Sequence, residues 1–316
     1  ALGRAGSRAI GATAYVTLEP CVHQGKTPPC TQALINAGIK KVMISLPDPD
    51  PRVNGKGIKA LQNAGIETEI GLCLEEARTI NAGFFLRVQN SKPFITLKLA
   101  TTLDGMIATE VGASAWITGE TARRSGHLLR ANHDAVLIGA HTAEKDNPLL
   151  TCRLPGMKEC SPIRIVVASS LRLPLTHSLI QTALEIPTWF FTTAIFEQDY
   201  EKCKAYEKAG VKLFIVEPDA KGKPNLLEVV RELAKKGITR LLVEGGGVIA
   251  ASFLKEALVD EIFWFRAAKL IGGDGVPAIS GMGIENIKDT IQVKRLSVEI
   301  MGEDILERYS LRNVRG

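Results

Sequence analysis

Residues 240–256 read RLLVEGGGVIAASFLKE, a stretch that combines a strand, a glycine-rich turn and a helix. The apolar start predicts a strand over residues 240–243, and the glycines open a helix that runs through residues 250–256. The three glycines would let a phosphate approach the backbone, and the helix N-terminus would present unpaired N–H groups to it. Because G-x-G-x-x-G is absent, the Rossmann pattern is not met. A tight turn that merely needs glycine is the alternative.

Strands and helices alternate along the chain, which indicates βαβ units and a largely parallel sheet in an α/β fold. The polar residues 89–93 end in proline and predict a boundary between a domain over residues 1–91 and another over residues 92–316. The total of 316 residues fits two domains of about 100–200 residues each. In the first domain the predicted strands are 14–18, 41–46 and 66–70, and the predicted helices are 31–37, 57–64 and 75–87.

The second domain continues the alternation. Its predicted strands are 94–100, 135–138, 163–168, 188–191, 212–216, 240–243, 261–265, 291–298 and 304–310. Helices are predicted over residues 121–131 and 226–236 in addition to the one after the glycines. Thr118 and Gly119 are available to cap the start of the first of these helices.

Composition and charge exclude several classes of protein. Charged residues make up 23% and hydrophobic residues 45% of the chain, which are values of a globular protein rather than a disordered one. The net charge of +5 would attract an anionic substrate, but the basic residues form no runs and aromatic content is 5%, so we expect no nucleic-acid partner. No apolar run is long enough to predict a membrane span. The six cysteines are too sparse for a disulfide framework, which favours a reducing cytoplasm.

Two cysteines follow the first predicted strand, in a loop that also holds His23 and Lys26. One motif, Glu-Pro-Cys, ends at Cys21, and a second, Pro-Pro-Cys, ends at Cys30. Two thiolates from one loop can supply half of a tetrahedral zinc site, whereas a catalytic zinc ion needs a third protein ligand. The alternative is a pair of loop cysteines that bind no metal.

The stretch TLEPCVHQGKTPPC at residues 17–30 resembles the zinc signature of the cytidine-deaminase-like fold, in the form found in the bifunctional riboflavin-biosynthesis deaminase/reductase family. Residues 98–105 (KLATTLDG), 114–118 (SAWIT), 139–153 and 243–247 resemble the reductase domain of that family, in the same order. The resemblance implies an N-terminal cytidine-deaminase-like α/β/α domain, incomplete here, followed by a dihydrofolate-reductase-like α/β domain with a mixed sheet. It implies NADPH-dependent reduction of a phosphoribosylamino-uracil to its ribitylamino form, and zinc-dependent deamination of the diaminopyrimidine precursor.

The resemblance implies that Cys21 and Cys30 are zinc ligands. The family's histidine ligand and its glutamate proton shuttle lie in an H-x-E motif, which by the family's layout falls about 25 residues before Cys21, a few positions before the first residue of this sequence. We therefore expect the deaminase site of this sequence, which starts without Met, to be incomplete. His23 is a candidate substitute ligand, but the resemblance places His23 and Lys26 toward the substrate. It also predicts Asn where this sequence has Asp50.

The resemblance further implies which residues line the reductase site. Those toward NADPH are Ala100, Trp116, Thr142, Asp146, Ser169, Gly246, Gly247, Val248, Ile249, Ala250, Ala251 and Ser252. Those toward the substrate are Ser114, Arg130, Leu150, Arg153 and Glu244. Arg130 and Arg153 would suit a ribose phosphate because a guanidinium offers two donors side by side. Taken alone, Trp116 would be a core residue and Arg130 a solvated helix residue.

Lys98 and Glu244 are the charged candidates near the reacting carbon. Because the cofactor carries the hydride, which reaches the anomeric carbon of the sugar after ring opening or as an imine, the task of the protein is orientation and electrostatics. Lys98 would polarise the open-chain carbonyl or stabilise developing charge, and His141 is a second candidate for proton transfer. We expect phosphorylated pyrimidine substrates, no membrane partner, and a homo-oligomer, either a dimer or a tetramer.

Three hypotheses remain open at this point. The protein has both activities, or it is a reductase whose deaminase half is incomplete, or its first domain is a non-catalytic docking or dimerisation module. A nucleic-acid-binding function is the least favoured, because the chain has few aromatic residues on which bases could stack.

Overall fold

Short strands and helices alternate through Ala1–Lys92, the first of two units into which the chain divides, and again through the second unit, Pro93–Gly316. The structure, a computed structural model, describes residues 1–25, 27–193 and 200–311. Among these residues no helix has both the length and the apolar character needed to cross a membrane.

The first unit is a small parallel sheet with helices between its strands. Its strands pair in the order β1–β2–β3, and both pairings are parallel, as the βαβ pattern predicts. Its core contains Val42, Ile44 and Leu61, which are fully buried. The elements are α1 (Leu2–Ala5), β1 (Thr13–Val16), α2 (Cys30–Asn36), β2 (Lys41–Ile44), α3 (Lys56–Asn63), β3 (Glu67–Ile70) and α4 (Leu74–Asn90).

Helix α4 is longer than its sequence pattern predicts. It continues through the polar residues 89 and 90 and ends where Ser91 takes a left-handed conformation with φ 54°. Polar residues are compatible with an exposed last turn, so their presence alone does not end a helix. Only residues 91–93 of the predicted polar linker are therefore outside regular structure.

The carboxylate of Glu19 connects the loop after β1 to the start of α3 through hydrogen bonds. Its side chain is buried and accepts backbone N–H groups from Asp48 (3.2 Å), Gly55 (3.0 Å), Gly57 (2.8 Å) and Ile58 (3.1 Å). The first N–H groups of a helix have no partner within the helix, and an acidic side chain both satisfies them and complements the helix dipole. Glu19 therefore has a structural role at the base of the loop that carries the two cysteines.

The second unit is built on a nine-stranded sheet in the order β13–β14–β11–β4–β10–β6–β7–β8–β9. The seven strands from β11 to β9 are parallel, and β14 and β13 are antiparallel to their neighbours. The strands of this sheet are β4 (Phe94–Thr102), β6 (Ala135–Gly139), β7 (Ile163–Val167), β8 (Thr188–Thr192), β9 (Val211–Ile215), β10 (Arg240–Val243), β11 (Glu261–Ala267), β13 (Lys294–Met301) and β14 (Asp304–Ser310). Two short strands, β5 (Met106–Ala108) and β12 (Val276–Pro277), form a separate antiparallel pair. The helices are α5 (Glu120–Ala131), α6 (Ala140–Asp146), α7 (Ser178–Gln181), α8 (Tyr200–Lys208), α9 (Leu226–Lys235) and α10 (Gly247–Lys255).

Every strand of this sheet except the edge strand β13, which is largely exposed, contributes residues to both of two apolar clusters. Alternate residues of one strand enter different clusters; Leu137 of β6, for example, packs with α9 and α10, while Ile138 packs with α5, α7 and α8. Sheets buried on both faces read as continuous apolar runs rather than alternating ones. This explains why the strands with two buried faces were predicted from sequence. The exposed strand β13 was predicted three residues too early, at 291–298, and the short strands β5 and β12 and the short helices α6, α7 and α8 were not predicted.

The start of α5 differs from the prediction. Gly119 is the N-cap residue and makes no side-chain cap, and Thr118 accepts a hydrogen bond from Arg123 through its backbone oxygen (2.7 Å) rather than capping through its hydroxyl. The buried carboxylate of Asp304, on β14, instead accepts the Gly119 N–H at 2.6 Å. A long-range partner therefore replaces the local cap, which no local sequence pattern could reveal.

We predict that Glu19→Gln destabilises the first unit by about 1–3 kcal/mol, because an amide nitrogen would replace an oxygen that accepts two of the four backbone N–H groups. Hydrogen–deuterium exchange of the amides of Gly57 and Ile58, together with thermal unfolding, measures the effect. Glu67→Gln is the control, since Glu67 is a largely exposed partner of Lys41 and exposed ion pairs contribute little. Equal exchange in the two variants would refute the structural role of Glu19.

Candidate active site

Lys98 and Glu244 are brought together by β4 and β10, which are neighbouring parallel strands, and β6 lies on the other side of β10. In the register of β10 on β4, Val243 pairs with Leu97, so the next positions, Glu244 and Lys98, lie side by side. The backbone N–H of Glu244 donates to the carbonyl of Leu137 on β6 at 2.9 Å, which continues the ladder by one residue. In parallel α/β sheets, ligands bind beyond the carboxyl ends of the strands, where Glu244 lies.

Arg130, on α5, forms a two-pronged ion pair with Glu244. Its Nε donates to Oε1 at 2.6 Å and its Nη2 donates to Oε2 at 2.9 Å. The Nζ of Lys98 lies 3.8 Å from Oε2 of the same carboxylate. The side chains of Lys98, Arg130 and Glu244 are 22%, 17% and 11% exposed, so two cations share one carboxylate in a largely dry setting.

This setting shifts the pKa values of the carboxylate and the ammonium group. Burial alone would raise the pKa of Glu244, but the charges of Arg130 and Lys98 outweigh it and lower this pKa to about 2. Burial lowers the pKa of Lys98, and Arg130 lowers it further, against the opposing effect of Glu244. Glu244 is therefore ionised at any physiological pH, while the ammonium group of Lys98 loses its proton more readily than an exposed lysine.

Arg130 was predicted to bind a phosphate with two neighbouring guanidinium donors, but in the structure both of these donors bond to Glu244. The paired edge of Arg130 faces Glu244, and its Nη1 donates to the carbonyl of Thr151 at 3.1 Å. The interpretation of Arg130 as a solvated helix residue is also wrong, because its side chain is only 17% exposed. Arg130 joins the end of β10 to the loop after α6.

The loop at residues 147–153 carries two further predicted residues and one that sequence reasoning missed. Leu150 has a left-handed backbone with φ 55° and a buried side chain in the core, whereas Arg153 is exposed. His127, on α5, contacts this loop: its Nδ1 lies 3.1 Å from the carbonyl oxygen of Thr151, and Nε of Arg153 lies 3.3 Å from its Nε2. Its position three residues before Arg130 on a predicted helix was the available signal, since such residues share a helix face.

The contacts of the glycine turn after β10 support the alternative of a tight turn that needs glycine. A Cβ on Gly245 would lie 1.8 Å from Cγ2 of Ile249, and one on Gly247 would lie 2.6 Å from the carbonyl of Pro277, so the turn itself requires glycine there. Gly246 is the N-cap of α10, makes no side-chain cap, and donates its N–H to Oγ1 of Thr142 at 3.1 Å. The first turn of α10 thus lacks a side-chain cap, which is the arrangement that accepts a phosphate.

The remaining residues predicted for the reductase site lie around these strand ends with different exposure. Ala100 is half-buried two residues after Lys98, on the same face of β4. Trp116 is 66% exposed, so the interpretation of Trp116 as a core residue is wrong; Arg123 lies over its ring at 4.9 Å. Residues with exposed side chains are Ser114, His141, Asp146, Ser169 and Val248. Residues with partly or fully buried side chains are Thr142, Ile249, Ala250, Ala251 and Ser252.

The two cysteines of the first unit are adjacent. The backbone N–H of Cys30 points to Sγ of Cys21 at 3.4 Å, and burial together with the Cys21 thiol raises the pKa of Cys30. Among the residues that the structure describes, the buried Nδ1 of His23 has no hydrogen-bond partner. In the part of the chain that the structure describes, however, no three His, Cys, Asp or Glu side chains come together in a way that could hold a metal ion.

Two thiols therefore fit half of a zinc site, and His23 does not complete it. The carboxylate of Glu19 is occupied by backbone donors and is not a free proton shuttle. Asp50 is buried and paired with Arg52, whose guanidinium lowers the pKa of this carboxyl to about 2. The predicted substrate residue Lys26 lies outside the described residues.

Comparison with known proteins agrees with this architecture. Residues 93–306 match the family model described as the RibD C-terminal domain, and residues 1–46 match the cytidine and deoxycytidylate deaminase zinc-binding region. The riboflavin biosynthesis protein RibD of Aquifex aeolicus (strain VF5) is 43% identical over 307 residues, which cover 97% of this chain and 82% of that protein.

Solved structures give the same result. Acinetobacter baumannii RibD, form 1, superposes with a TM-score of 0.86 at 35% identity, covering 98% of this chain and 83% of that one. The diaminohydroxyphosphoribosylaminopyrimidine deaminase/5-amino-6-(5-phosphoribosylamino)uracil reductase of Thermotoga maritima superposes with a TM-score of 0.82 at 33% identity, again over 98% of this chain and 83% of that one.

The fold and the site define a two-part enzyme, a cytidine-deaminase-like zinc-binding region followed by a reductase of dihydrofolate-reductase-like fold. The chain belongs to the RibD family of riboflavin biosynthesis proteins. The predicted family, fold class and enzyme class are thereby confirmed, and so is the assignment to riboflavin biosynthesis.

We predict that the rate of reduction falls as the pH is raised, and that the midpoint of this fall lies below 10.5, the ordinary pKa of lysine. The reason is that the Lys98 ammonium group loses its proton as the pH rises through its lowered pKa. The pH profile of kcat for NADPH oxidation measures this limb. Lys98→Arg keeps the cation at all these pH values, so its alkaline limb should move upward even if its maximal rate is lower. An identical alkaline limb in both proteins would exclude Lys98 as its source.

Proposed function

We propose that the second unit catalyses NADPH-dependent reduction of the ribosyl side chain of 5-amino-6-(5-phosphoribosylamino)uracil to the ribityl form. The observation that carries this proposal is the largely buried cluster of Lys98, Glu244 and Arg130 next to the glycine turn of α10. A cation that readily gives up its proton lies beside a fixed carboxylate, where charge that develops on the sugar oxygen can be stabilised.

The proposed roles follow from the contacts. Lys98 polarises the carbonyl of the opened sugar or its imine, and Glu244 orients the Lys98 ammonium group from 3.8 Å. Arg130 holds Glu244 ionised and in place, so its contribution to substrate binding acts mainly through that carboxylate. Ser114, Leu150 and Arg153 complete the substrate site, with the exposed guanidinium of Arg153 for the phosphate.

The cofactor site fits a dinucleotide phosphate. NADPH supplies the hydride when it is bound. The backbone of residues 246–249 at the uncapped start of α10 would hold a phosphate, with Thr142 fixing the N–H of Gly246. The other residues proposed for this site are Ala100, Trp116, Asp146, Ser169, Ala250, Ala251 and Ser252.

For the first unit, we propose that Cys21 and Cys30 are two of the ligands of a zinc ion in a pyrimidine deaminase site, with His23 and Lys26 toward the substrate. Because the described residues provide only these two thiols, we derive no reaction step through zinc. The alternative is that the protein acts as a reductase alone and that the first unit, proposed to be a domain of its own, serves docking or dimerisation. Only an assay of ammonia release separates the two.

The decisive experiment offers the purified protein the deaminated pyrimidine phosphate with NADPH and, separately, the diamino precursor. We predict NADPH oxidation with the first compound and a loss of about 10²-fold in kcat for Lys98→Met, the size of effect expected for one electrostatic group at a reacting centre. Arg172→Gln, which removes an exposed loop cation, is the matched control. Absence of NADPH oxidation would overturn the reductase proposal. Ammonia release and bound zinc, both lost in Cys30→Ser, would support the deaminase, and reduction without ammonia release would support the reductase alone.

We also propose that the protein is a homo-oligomer of the cytoplasm. Each of its six cysteines is a free thiol, which suits a reducing compartment. Val298 and Ile300 of β13 and Ile305 of β14 are 51%, 84% and 38% exposed, and Ile300 and Ile305 are register partners on one face. A two-fold interface would cover such an apolar patch with its own copy.

We predict that Ile300→Lys reduces the oligomer to monomers by burying a charge in this interface. Light scattering coupled to size-exclusion chromatography measures the mass. Glu299→Lys, on the opposite face of the same strand, also introduces a lysine, with a net-charge change of +2 against +1 for Ile300→Lys, and should leave the mass unchanged. Equal masses of the Ile300→Lys variant and the unaltered protein would exclude this face as the interface.

A further inference from the structure

His127 and Arg130 reach from one face of α5 to the loop after α6. Nδ1 of His127 lies 3.1 Å from the carbonyl oxygen of Thr151, and Nη1 of Arg130 donates to the same oxygen at 3.1 Å. Nε of Arg153 lies 3.3 Å from Nε2 of His127. Two side chains of one helix therefore hold a three-residue segment of the loop that ends at a predicted substrate-binding arginine.

Hydrogen-bond chemistry assigns the tautomer of His127 in this arrangement. The Nε of arginine can only donate, so Nε2 of His127 must be the unprotonated nitrogen that accepts. Nδ1 then carries the proton and donates it to the carbonyl of Thr151. In this tautomer the backbone N–H of Arg153, 3.4 Å from Nδ1, finds no acceptor on the ring.

The contact with His127 leaves the functional end of Arg153 open. The side chain of Arg153 is exposed, and only its Nε is used. Within the described residues its Nη1 and Nη2 have no partner. These two nitrogens can bind one phosphate group together, provided that the guanidinium is held in one orientation. Arg130, by contrast, has its paired edge committed to Glu244.

We propose that His127 is a positioning residue, which in its neutral form fixes the guanidinium of Arg153 for the phosphate of the substrate. The inference rests on the proposed function, because it assumes a phosphorylated substrate in this site. It adds a residue that acts through Arg153 and does not itself touch the reacting atoms.

The charges around His127 favour the neutral form that this role requires. Burial lowers the pKa of His127, and Arg130 on its own helix and Arg153 on the facing loop lower it further, against the carbonyl of Thr151 and the more distant Glu244. A protonated ring could not accept from Arg153 and would repel it. The KM for the phosphorylated substrate should therefore rise as pH falls through the lowered pKa of His127, below 6.5.

Three substitutions separate the two hydrogen bonds of the ring. His127→Ala should raise KM by about five- to tenfold, the effect of one lost hydrogen bond, and leave kcat within about twofold. His127→Gln can place an oxygen near the position of Nε2 and should recover most of the affinity, without the acid-side rise in KM. His127→Asn keeps a donor near Nδ1 but offers Arg153 no acceptor, so its KM should stay high. Arg124→Gln, an exposed cation on the same helix, is the control.

A purely structural role gives a different pattern. If all three His127 variants lost kcat and thermal stability together, or if His127→Ala left KM unchanged in an active protein, the inference would be wrong. The tautomer provides a readout that does not depend on activity: long-range ¹⁵N–¹H spectra should show His127 protonated at Nδ1, its signal assigned by its absence in His127→Gln. Protonation at Nε2 would overturn the inference whatever the assay shows. Absence of NADPH oxidation by the unaltered protein would refute the proposed function, and the phosphate-positioning role of His127 would be refuted with it even if the Nδ1–H tautomer is observed.

Discussion

The second unit depends on one ion pair, between Arg130 of α5 and Glu244 at the end of β10. Removing a charge from water costs several kcal/mol, and a buried pair recovers this cost only with good geometry and further hydrogen bonds. Here the geometry is two-pronged, and Lys98 and the carbonyl of Thr151 provide further partners. Loss of one partner would leave an uncompensated charge, which typically costs about 3–5 kcal/mol. The ion pair therefore restricts the movement of the elements it joins, which are α5, the end of β10 and the loop at Thr151.

The constraint connects the proposed reacting centre to the loop at residues 147–153, which is proposed to bind the substrate. Arg130 holds Glu244 with one edge and the loop carbonyl at Thr151 with its remaining Nη. Because the same side chain makes both contacts, the loop cannot shift far without disturbing the carboxylate next to Lys98. A chain in which Arg130 bound the phosphate with its paired edge would have lost this connection. The two arginines thus differ: Arg130 is committed to contacts within the protein, whereas Arg153 is exposed and is the one proposed to bind the substrate phosphate.

The sequence predicts much of this fold because its strands are covered on both faces and read as apolar runs. Two of the predictions that failed, the cap of α5 and the role of Arg130, have the same cause: the residue that makes the deciding contact is far away in the chain. The cap of α5 comes from Asp304, and the partner of Arg130 lies 114 positions away, so neither local spacing nor composition indicates them. Helix α6 begins at the residue directly after β6, with only Gly139 between the apolar part of the strand and the helix, and it is seven residues long. Short elements of this kind lack the apolar period on which a prediction depends.

The candidate site was predicted mainly by resemblance, and the physical chemistry of single residues was often misleading. Trp116 is large and apolar yet exposed, while Arg130 is charged yet largely buried. His127 carried no motif and became visible only through the two partners of its ring. The cysteine pair shows the opposite case: the motif at Cys21 and Cys30 is specific, yet the described residues bring no third ligand to it.

The glycine turn shows why a motif and its function need separate arguments. Gly245 and Gly247 have no room for a side chain because of contacts within the protein, with Ile249 and with Pro277. Their identity would be the same if no phosphate ever bound there, so three glycines in a row are not themselves evidence of a cofactor. The start of α10 has no side-chain cap, but the starts of α2, α3, α4, α5 and α6 have none either, so the missing cap does not by itself distinguish α10 as a phosphate site. The hydroxyl of Thr142 accepts the N–H of Gly246 and leaves the following N–H groups for an anion. The case for a phosphate at this turn therefore rests on its position at the carboxyl end of β10, next to Glu244 and Lys98, where ligands bind in parallel α/β sheets, and not on its glycines or on the missing cap.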